Sequence, residues 1–209
     1  MIHIIAFTYD DILEVIANCY IVYDDFKNAI IIDPSKNNPK IINALERENL
    51  SLKAIFLTHG HFDHIAGVDW LKEQFDVPVL IHEKDEVMLN DPFLNGSTSM
   101  SQNQIKVKSE VKTFVDKESF DFLNEEMRVV FTPFHTLGSS CFYFLKSSML
   151  FSGDTLFKDG FGRYDLPHAD YHQIKSSLLK LFALPKETKV YPGHGKGTTI
   201  GDEAAKYRL

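Results

Sequence analysis

The sequence predicts an α/β (α+β) fold in which two sheets pack face to face and helices cover their outer sides. Two observations lead to that class. Short β-branched and aromatic runs, bounded by polar turn residues, occur in two series along the chain. Each series is accompanied by segments whose apolar residues recur at helical spacing. The length of 209 residues suits a single domain, residues 1–209, with enough chain to bury a substantial core.

Residues 2–8, Cys19 to Asp24 and Ala29 to Asp33 read as strands, rich in Ile, Val, Tyr and Phe. Asn37-Asn38-Pro39 marks a helix start, because a capping side chain followed by proline suits a first turn. Ile41, Ile42 and Leu45 carry its apolar stripe to about Glu48. Lys53 to Leu57 is a short buried strand, and Thr58 to Gly67 a loop rich in His and Asp. Val68, Leu71 and Phe75 give a second helix, Val79-Leu80-Ile81 another strand, and Glu83 to Leu89 a short helix. Residues 90–109 hold Asp91-Pro92, Asn95-Gly96 and a polar run with few large apolar groups, and read as a long surface loop beside the functional site. Strands resume near 110–115, 127–131, 141–145 and 148–152. Tyr171 to Ala183 is an amphipathic helix with Ile174, Leu178, Leu181 and Phe182 inward, and Lys189 to Pro192 is a final strand. No repeat or low-complexity tract interrupts this order.

Composition narrows the function. Hydrophobic residues are 44% and charged residues 24%, an ordinary globular balance. A formal charge of -7 disfavours a general nucleic-acid surface. No apolar run reaches the roughly 18 residues that a membrane span needs. The opening residues, Ile2 to Phe7, carry neither a basic leader nor a small-residue cleavage site. Cys19 and Cys141 both sit in apolar runs and read as buried strand residues, too few for a disulfide scaffold. The expectation is a cytoplasmic protein with a small-molecule substrate and without nucleic-acid or membrane partners.

Thr58-His59-Gly60-His61-Phe62-Asp63-His64 carries the chemistry. His59 and His61 are two apart, so in extended backbone their rings project to the same side and can share one metal ion. Asp63 and His64 lie where the chain turns into a helix, so they diverge from the first pair and can serve a second ion. Imidazole with carboxylate is a donor set typical of zinc and compatible with iron or manganese. Further ligands must come from elsewhere, and three strand ends offer them. His135 follows Thr132-Pro133-Phe134, Asp154 follows Ser152-Gly153, and His194 lies between Gly193 and Gly195. Small neighbours let the backbone approach a metal closely. A closed structural zinc site is not expected, since such sites are usually cysteine-rich and no cysteine pairs occur.

This set, His-x-His-x-Asp-His followed by His135, Asp154 and His194, resembles the metallo-β-lactamase superfamily, and within it the glyoxalase II-like hydrolases in their short single-domain branch. Asn18 to Val22, Ile32-Asp33-Pro34, Gly162 to Pro167 and Thr198 to Gly201 extend the resemblance over nearly the whole chain. It implies a four-layer αββα sandwich. It also implies two divalent metal ions, one held by His59, His61 and His135, the other by Asp63, His64 and His194, with Asp154 bridging. A metal-bridging hydroxide would attack the carbonyl of a thioester such as S-D-lactoylglutathione or a related hydroxyacyl-thiol. Asp63 would orient that hydroxide or relay its proton, and Arg163 stands where glutathione-thioester hydrolases place a basic residue for the substrate carboxylate. An ion pair with Asp165 is the plain alternative for Arg163.

Around these residues, Asp33 is expected to hydrogen-bond a ligand histidine, with turn capping beside Pro34 as the alternative. Phe62, Phe93, Phe134, Phe157 and Phe161 are candidates for the pocket wall, although most aromatics serve the core. His3, His82, His168 and His172 lack partners at ligand spacing. The chain departs from the family pattern in several places. It continues only fifteen residues past His194, without the C-terminal helical domain that helps full-length glyoxalase II enzymes bind glutathione. Phe134 stands for a usual glycine, which would narrow the entrance. Leu137 stands for a usual proline, and His168-Ala169 for a usual pair of glycines. The competing reading is a persulfide dioxygenase on the same scaffold, with one iron held by His59, His135 and Asp154. A nuclease is disfavoured by charge and length. A class B β-lactamase is disfavoured because that group typically has cysteine at the position of Asp154.

Overall fold

The computed structural model describes residues 1–9 and 15–207. Two six-stranded sheets form. In the first, β1 (Ile2–Phe7), β2 (Cys19–Asp24), β3 (Asn28–Ile32), β4 (Ser51–Phe56), β5 (Val79–His82) and β6 (Lys112–Phe114) lie side by side in chain order. β1 pairs antiparallel with β2, and β2 with β3 through the short turn after Asp24, whereas β3 to β6 pair parallel. The parallel links need long crossovers, supplied by α1 (Pro39–Arg47), by α2 (Phe62–Ile65) with α3 (Val68–Gln74), and by residues 83–111 between β5 and β6. The second sheet runs β12-β11-β10-β9-β8-β7. Its strands are β7 (Ser119–Phe120), β8 (Met127–Phe131), β9 (Ser140–Phe144), β10 (Met149–Gly153), β11 (Lys189–Pro192) and β12 (Thr198–Thr199). Only β10 and β11 pair parallel, joined through α5 (Ile174–Phe182).

Side-chain alternation divides the core into three. Ile30, Ile32, Ala54 and Phe56 face inward and meet Val129, Phe142, Phe144 and Phe151 of the second sheet. Ile31 and Ile55, one residue out of phase, face outward against Ile41 and Leu45 of α1 and Val68 and Leu71 of α3. On the far side Cys141, Tyr143, Leu150 and Val190 pack beneath Leu178 and Leu181 of α5 and Ile200. These are the expected four layers. Both cysteines are buried and unpaired.

Strand and helix positions agree with the expectations to within two residues for most elements. The short helix expected from Glu83 to Leu89 is present as a 3-10 helix, Glu83–Asn90. Asp85 and Met88, three apart, share its buried side, which suits three residues per turn. β7, β12, the short α4 (Ser97–Met100) and α6 (Ile200–Ala204) had no helical or alternating signal long enough to mark them. Residues 90–109 are held close to the body. The Asn95 amide donates to the carbonyls of Met88 and Ile105, and Val107 is buried in the outer core. Among the described residues no helix is long and apolar enough to cross a membrane.

Candidate metal centre

The strand ends that face one edge of the sandwich deliver the site. Beyond β4 the chain bends at Thr58, is extended at His61, whose ψ is 148°, and then turns into α2. His61 occupies the cap position of that helix without a capping bond, so its ring is free to face the cluster. Asp63 and His64 follow in the first turn. His135 arrives after β8, Asp154 after β10 and His194 after β11.

Asp154 sits at the centre. Its carboxylate lies 3.3 Å from His64 Nε2, 3.4 Å from His135 Nε2 and 3.6 Å from His194 Nε2. On one side His61 Nδ1 and His135 Nε2 are 2.9 Å apart, with His59 completing a trio. On the other, Asp63 Oδ2 lies 3.0 Å from His194 Nε2 and 3.7 Å from His64 Nε2. All seven expected residues therefore converge, in three overlapping groups whose donor atoms lie within 4.8 Å of one another.

The surroundings fix which nitrogen faces inward. His135 Nδ1 donates to the Arg163 carbonyl at 2.6 Å, leaving Nε2 for the cluster. Thr58 Oγ1 donates to Asp33 and so accepts from His59 Nδ1, which turns His59 Nε2 inward. Asp33 Oδ2 accepts from His64 Nδ1 at 2.8 Å, so the expected bond to a ligand histidine is present. The Asn18 amide and the Tyr20 hydroxyl both donate to the Pro192 carbonyl and pin the turn that carries His194. Gly193 is required by space, since a Cβ there would lie 2.2 Å from Asp154 Oδ1.

A metal fits this arrangement. Among the described residues His59 Nε2, His61 Nε2, His64 Nε2 and Asp154 Oδ1 are buried without a hydrogen-bond partner. Orphaned polar atoms of this kind cost about 1–3 kcal/mol each when nothing binds them. Burial, followed by the neighbouring imidazoles, pushes His59 well down and His61 to about 3, so both rings are neutral and able to donate a lone pair. At His64 burial acts in the same direction, but the carboxylates of Asp154, Asp33 and Asp63 outweigh it and raise the imidazole.

The sequence profile of the metallo-beta-lactamase superfamily matches residues 13–194. The chain belongs to that superfamily. It is a metal-dependent hydrolase by family and carries a potential His/Asp metal site. It is 34% identical to the hydroxyacylglutathione hydrolase GloC of Haemophilus influenzae, over 89% of each chain. Among solved structures it resembles the BLEG-1 B3 metallo-beta-lactamase, with a TM-score of 0.86 and 39% identity over 90% of this chain and 91% of that one. It also resembles TTHA1623 in a di-iron-bound form, with a TM-score of 0.85 and 34% identity over 98% of both chains.

Within this superfamily member the remaining candidates separate. The Arg163 guanidinium is exposed and forms a bidentate pair with Asp165, while its carbonyl orients His135. Phe62 lines a cavity beside Asp63, and the Phe157 ring stands 6.0 Å from that of His194. Phe134 is fully buried against Phe161, so it does not narrow the entrance, and Phe93 points to solvent. The other histidines have structural partners: His3 pairs with Asp25, His82 stacks on Phe131, His172 lies tilted against Tyr171, and His168 donates to the Lys84 carbonyl. His168 has φ 68°, a conformation that favours glycine, which accounts for the usual family residue there.

Sequence reasoning missed Asp85. This fully buried carboxylate accepts hydrogen bonds from Gly60, Thr136 and Gly138. It also missed Lys36, which lines the cavity beside Asp63 together with Ser35, Met100, Gln102 and Asn103. Neither residue lies near a ligand motif in sequence, so no local signal marks it.

Proposed function

We propose that this chain is a two-metal thioester hydrolase acting on S-D-lactoylglutathione or a related hydroxyacyl-thiol. The position of Asp154 carries the reading, because its carboxylate stands between a three-histidine group and the Asp63, His64 and His194 group. His59, His61 and His135 would hold one divalent ion, Asp63, His64 and His194 the other, and Asp154 both. Zinc is the proposed ion, and the donors also suit iron or manganese. Such a pair supplies a nucleophilic water at neutral pH and a Lewis acid for the acyl oxygen.

The protein's own groups do the rest. Asp63 lies at the cavity wall and pairs with His194, so its carboxylate would be placed to orient the attacking water or relay its proton. The cavity of about 380 Å³ beside it is large enough for the arm of a small thioester. Lys36 on the cavity wall offers a cation to a substrate carboxylate, and the exposed Arg163 guanidinium is a second candidate once freed from Asp165. A thiolate leaves readily, so the site needs no strong general acid. The similarity to GloC supports this substrate class. A cytoplasmic location and a small-molecule partner, without nucleic acid, complete the proposal and accord with the acidic charge and the two unpaired cysteines.

The test is metal analysis of untagged protein paired with S-D-lactoylglutathione hydrolysis on the same sample. About two ions per chain with chelator-sensitive turnover supports the proposal. One iron per chain with oxygen consumption on glutathione persulfide and no thioester turnover would replace it with the dioxygenase. Turnover of a chromogenic cephalosporin but of no thioester would replace it with β-lactam hydrolysis.

A further inference from the structure

We infer that Asp85 is a positioning residue for the three-histidine half of the centre, setting the spacing of His59, His61 and His135. The inference rests on the two-metal reading and asks a separate question of it. Asp85 lies on the 3-10 segment after β5 and is fully buried. Its two oxygens are divided between the two loops that supply these histidines. Oδ2 accepts from the backbone N–H of Gly60, the residue between His59 and His61, at 3.1 Å. The same oxygen accepts from Thr136 Oγ1, next to His135, at 2.6 Å. Oδ1 accepts from the Gly138 N–H at 2.6 Å and has His168 Nε2 3.4 Å away.

The approach is close enough to dictate both glycines. A Cβ on Gly138 would lie 2.6 Å from Asp85 Cγ, and one on Gly60 would lie 2.6 Å from the Met88 Cβ on the same 3-10 segment. Hydrogen bonds to an ionised acceptor are shorter and stronger than neutral ones, and this acceptor works in a dry interior. One carboxylate therefore ties the His59–His61 backbone to the loop that carries His135, whose Nε2 lies 2.9 Å from His61 Nδ1. The other half of the centre is not reached by Asp85: Asp33, which also reaches His59 through Thr58, holds His64, while Asn18 and Tyr20 hold the His194 turn. An asparagine at position 85 cannot substitute. Whichever way its amide turns, an NH₂ faces a backbone N–H that needs an acceptor.

The experiment is a competition titration of the full chain with Zn(II) in a chelator buffer, comparing wild type, Asp85→Asn and Thr136→Val. The histidine ring resonances are followed by NMR in the same samples. The expected result for Asp85→Asn is a loss of about 10- to 100-fold in affinity at one zinc site, the other unchanged. Ring signals of His59, His61 and His135 should move while those of His64 and His194 hold. Thr136→Val removes one donor and keeps the carboxylate, so a smaller loss at the same site is expected. If Asp85→Asn does not fold, Thr136→Val carries the test. Unchanged affinity at both sites in a folded variant would overturn the inference. So would equal weakening of both sites, which would mean that Asp85 supports the fold alone. Wild type that binds no zinc would overturn the reading of the centre itself, and that measurement comes before any variant.

Discussion

Asp33 Oδ2 accepts from His64 Nδ1 at 2.8 Å, and both side chains are closed off from solvent. The same carboxylate accepts from the Thr58 backbone N–H and hydroxyl, and Thr58 in turn accepts from His59. A single carboxylate thus orients one histidine from each half of the centre. Removing it leaves several buried donors without a partner, at about 1–3 kcal/mol for each. Asp33→Ala should lose about 3 kcal/mol of stability in urea and bind zinc about 10- to 100-fold more weakly. A variant with wild-type zinc affinity would show that the ring orientation does not depend on Asp33.

Gly193 offers a steric test of the same centre. Its added Cβ would meet Asp154 Oδ1 at 2.2 Å and His64 Cε1 at 2.7 Å. Gly193→Ala should lower turnover by at least about 100-fold, as displacement of reacting groups by about 1 Å does. Its circular dichroism should stay that of the wild type. Near-normal turnover would mean that the turn relaxes without disturbing Asp154.

The two cations beside the cluster should contribute unequally. Arg163 is already bound by Asp165, so a substrate carboxylate has to compete for it. Lys36 lies on the cavity wall, with its ammonium 4.6 Å from the Tyr9 ring centroid. Lys36→Met should raise KM for S-D-lactoylglutathione about tenfold with little change in kcat, a difference of about 1.4 kcal/mol. Arg163→Ala should raise it only about threefold. The reverse order would assign the substrate carboxylate to Arg163.

His168 should make stability depend on pH. The hydrogen bond to Asp85 raises its imidazole above the ordinary value of 6.5, against burial and with help from the Lys84 carbonyl. A group with a raised folded pKa stabilises fully below its unfolded value and loses that contribution as pH rises through the folded one. His168→Asn tolerates the positive φ and removes the charge. Its melting temperature should fall below that of the wild type at about pH 6, and the two should converge by about pH 9. A difference that does not vary with pH would exclude a charged His168.

The cysteines should be inert in the folded chain. Burial pushes the Cys141 thiol up to about 11 and raises that of Cys19 as well. Neither should react with a thiol-specific disulfide reagent until urea unfolds the protein, when both should. Rapid modification of either thiol under native conditions would count against the packing described.

What the sequence makes legible follows from how local the cause is. His59, His61, Asp63 and His64 declare themselves because one extended-to-helical turn places all four. His135, Asp154 and His194 stand at the ends of strands whose hydrophobic runs are readable, so their convergence could be anticipated. The partners that hold them are a different matter. Asp85 bonds residues 25, 51 and 53 positions away, and nothing near it in sequence differs from an ordinary polar turn of helix. The sequence marks Arg163 by its side chain, whereas the contact it makes with the cluster comes from its carbonyl, which any residue supplies. Residues 90–109 read as loop for want of apolar groups, yet the Asn95 amide and the Asp69 carboxylate, which accepts from Lys108 and Ser109, tether them. Strands as short as β7 and β12 are fixed by pairing to neighbours already in place, not by their own two residues.

The donors reach the centre from both sheets, His59 to His64 from one and His135, Asp154 and His194 from the other. An ion shared among them is a cross-link between the two halves of the sandwich, available only while the halves are together. Ligand that binds the folded chain alone adds about 4 kcal/mol when present at a thousandfold excess over its dissociation constant. Metal supply would then act on stability as well as on activity, since chains short of metal would lack that cross-link and open more often between their sheets.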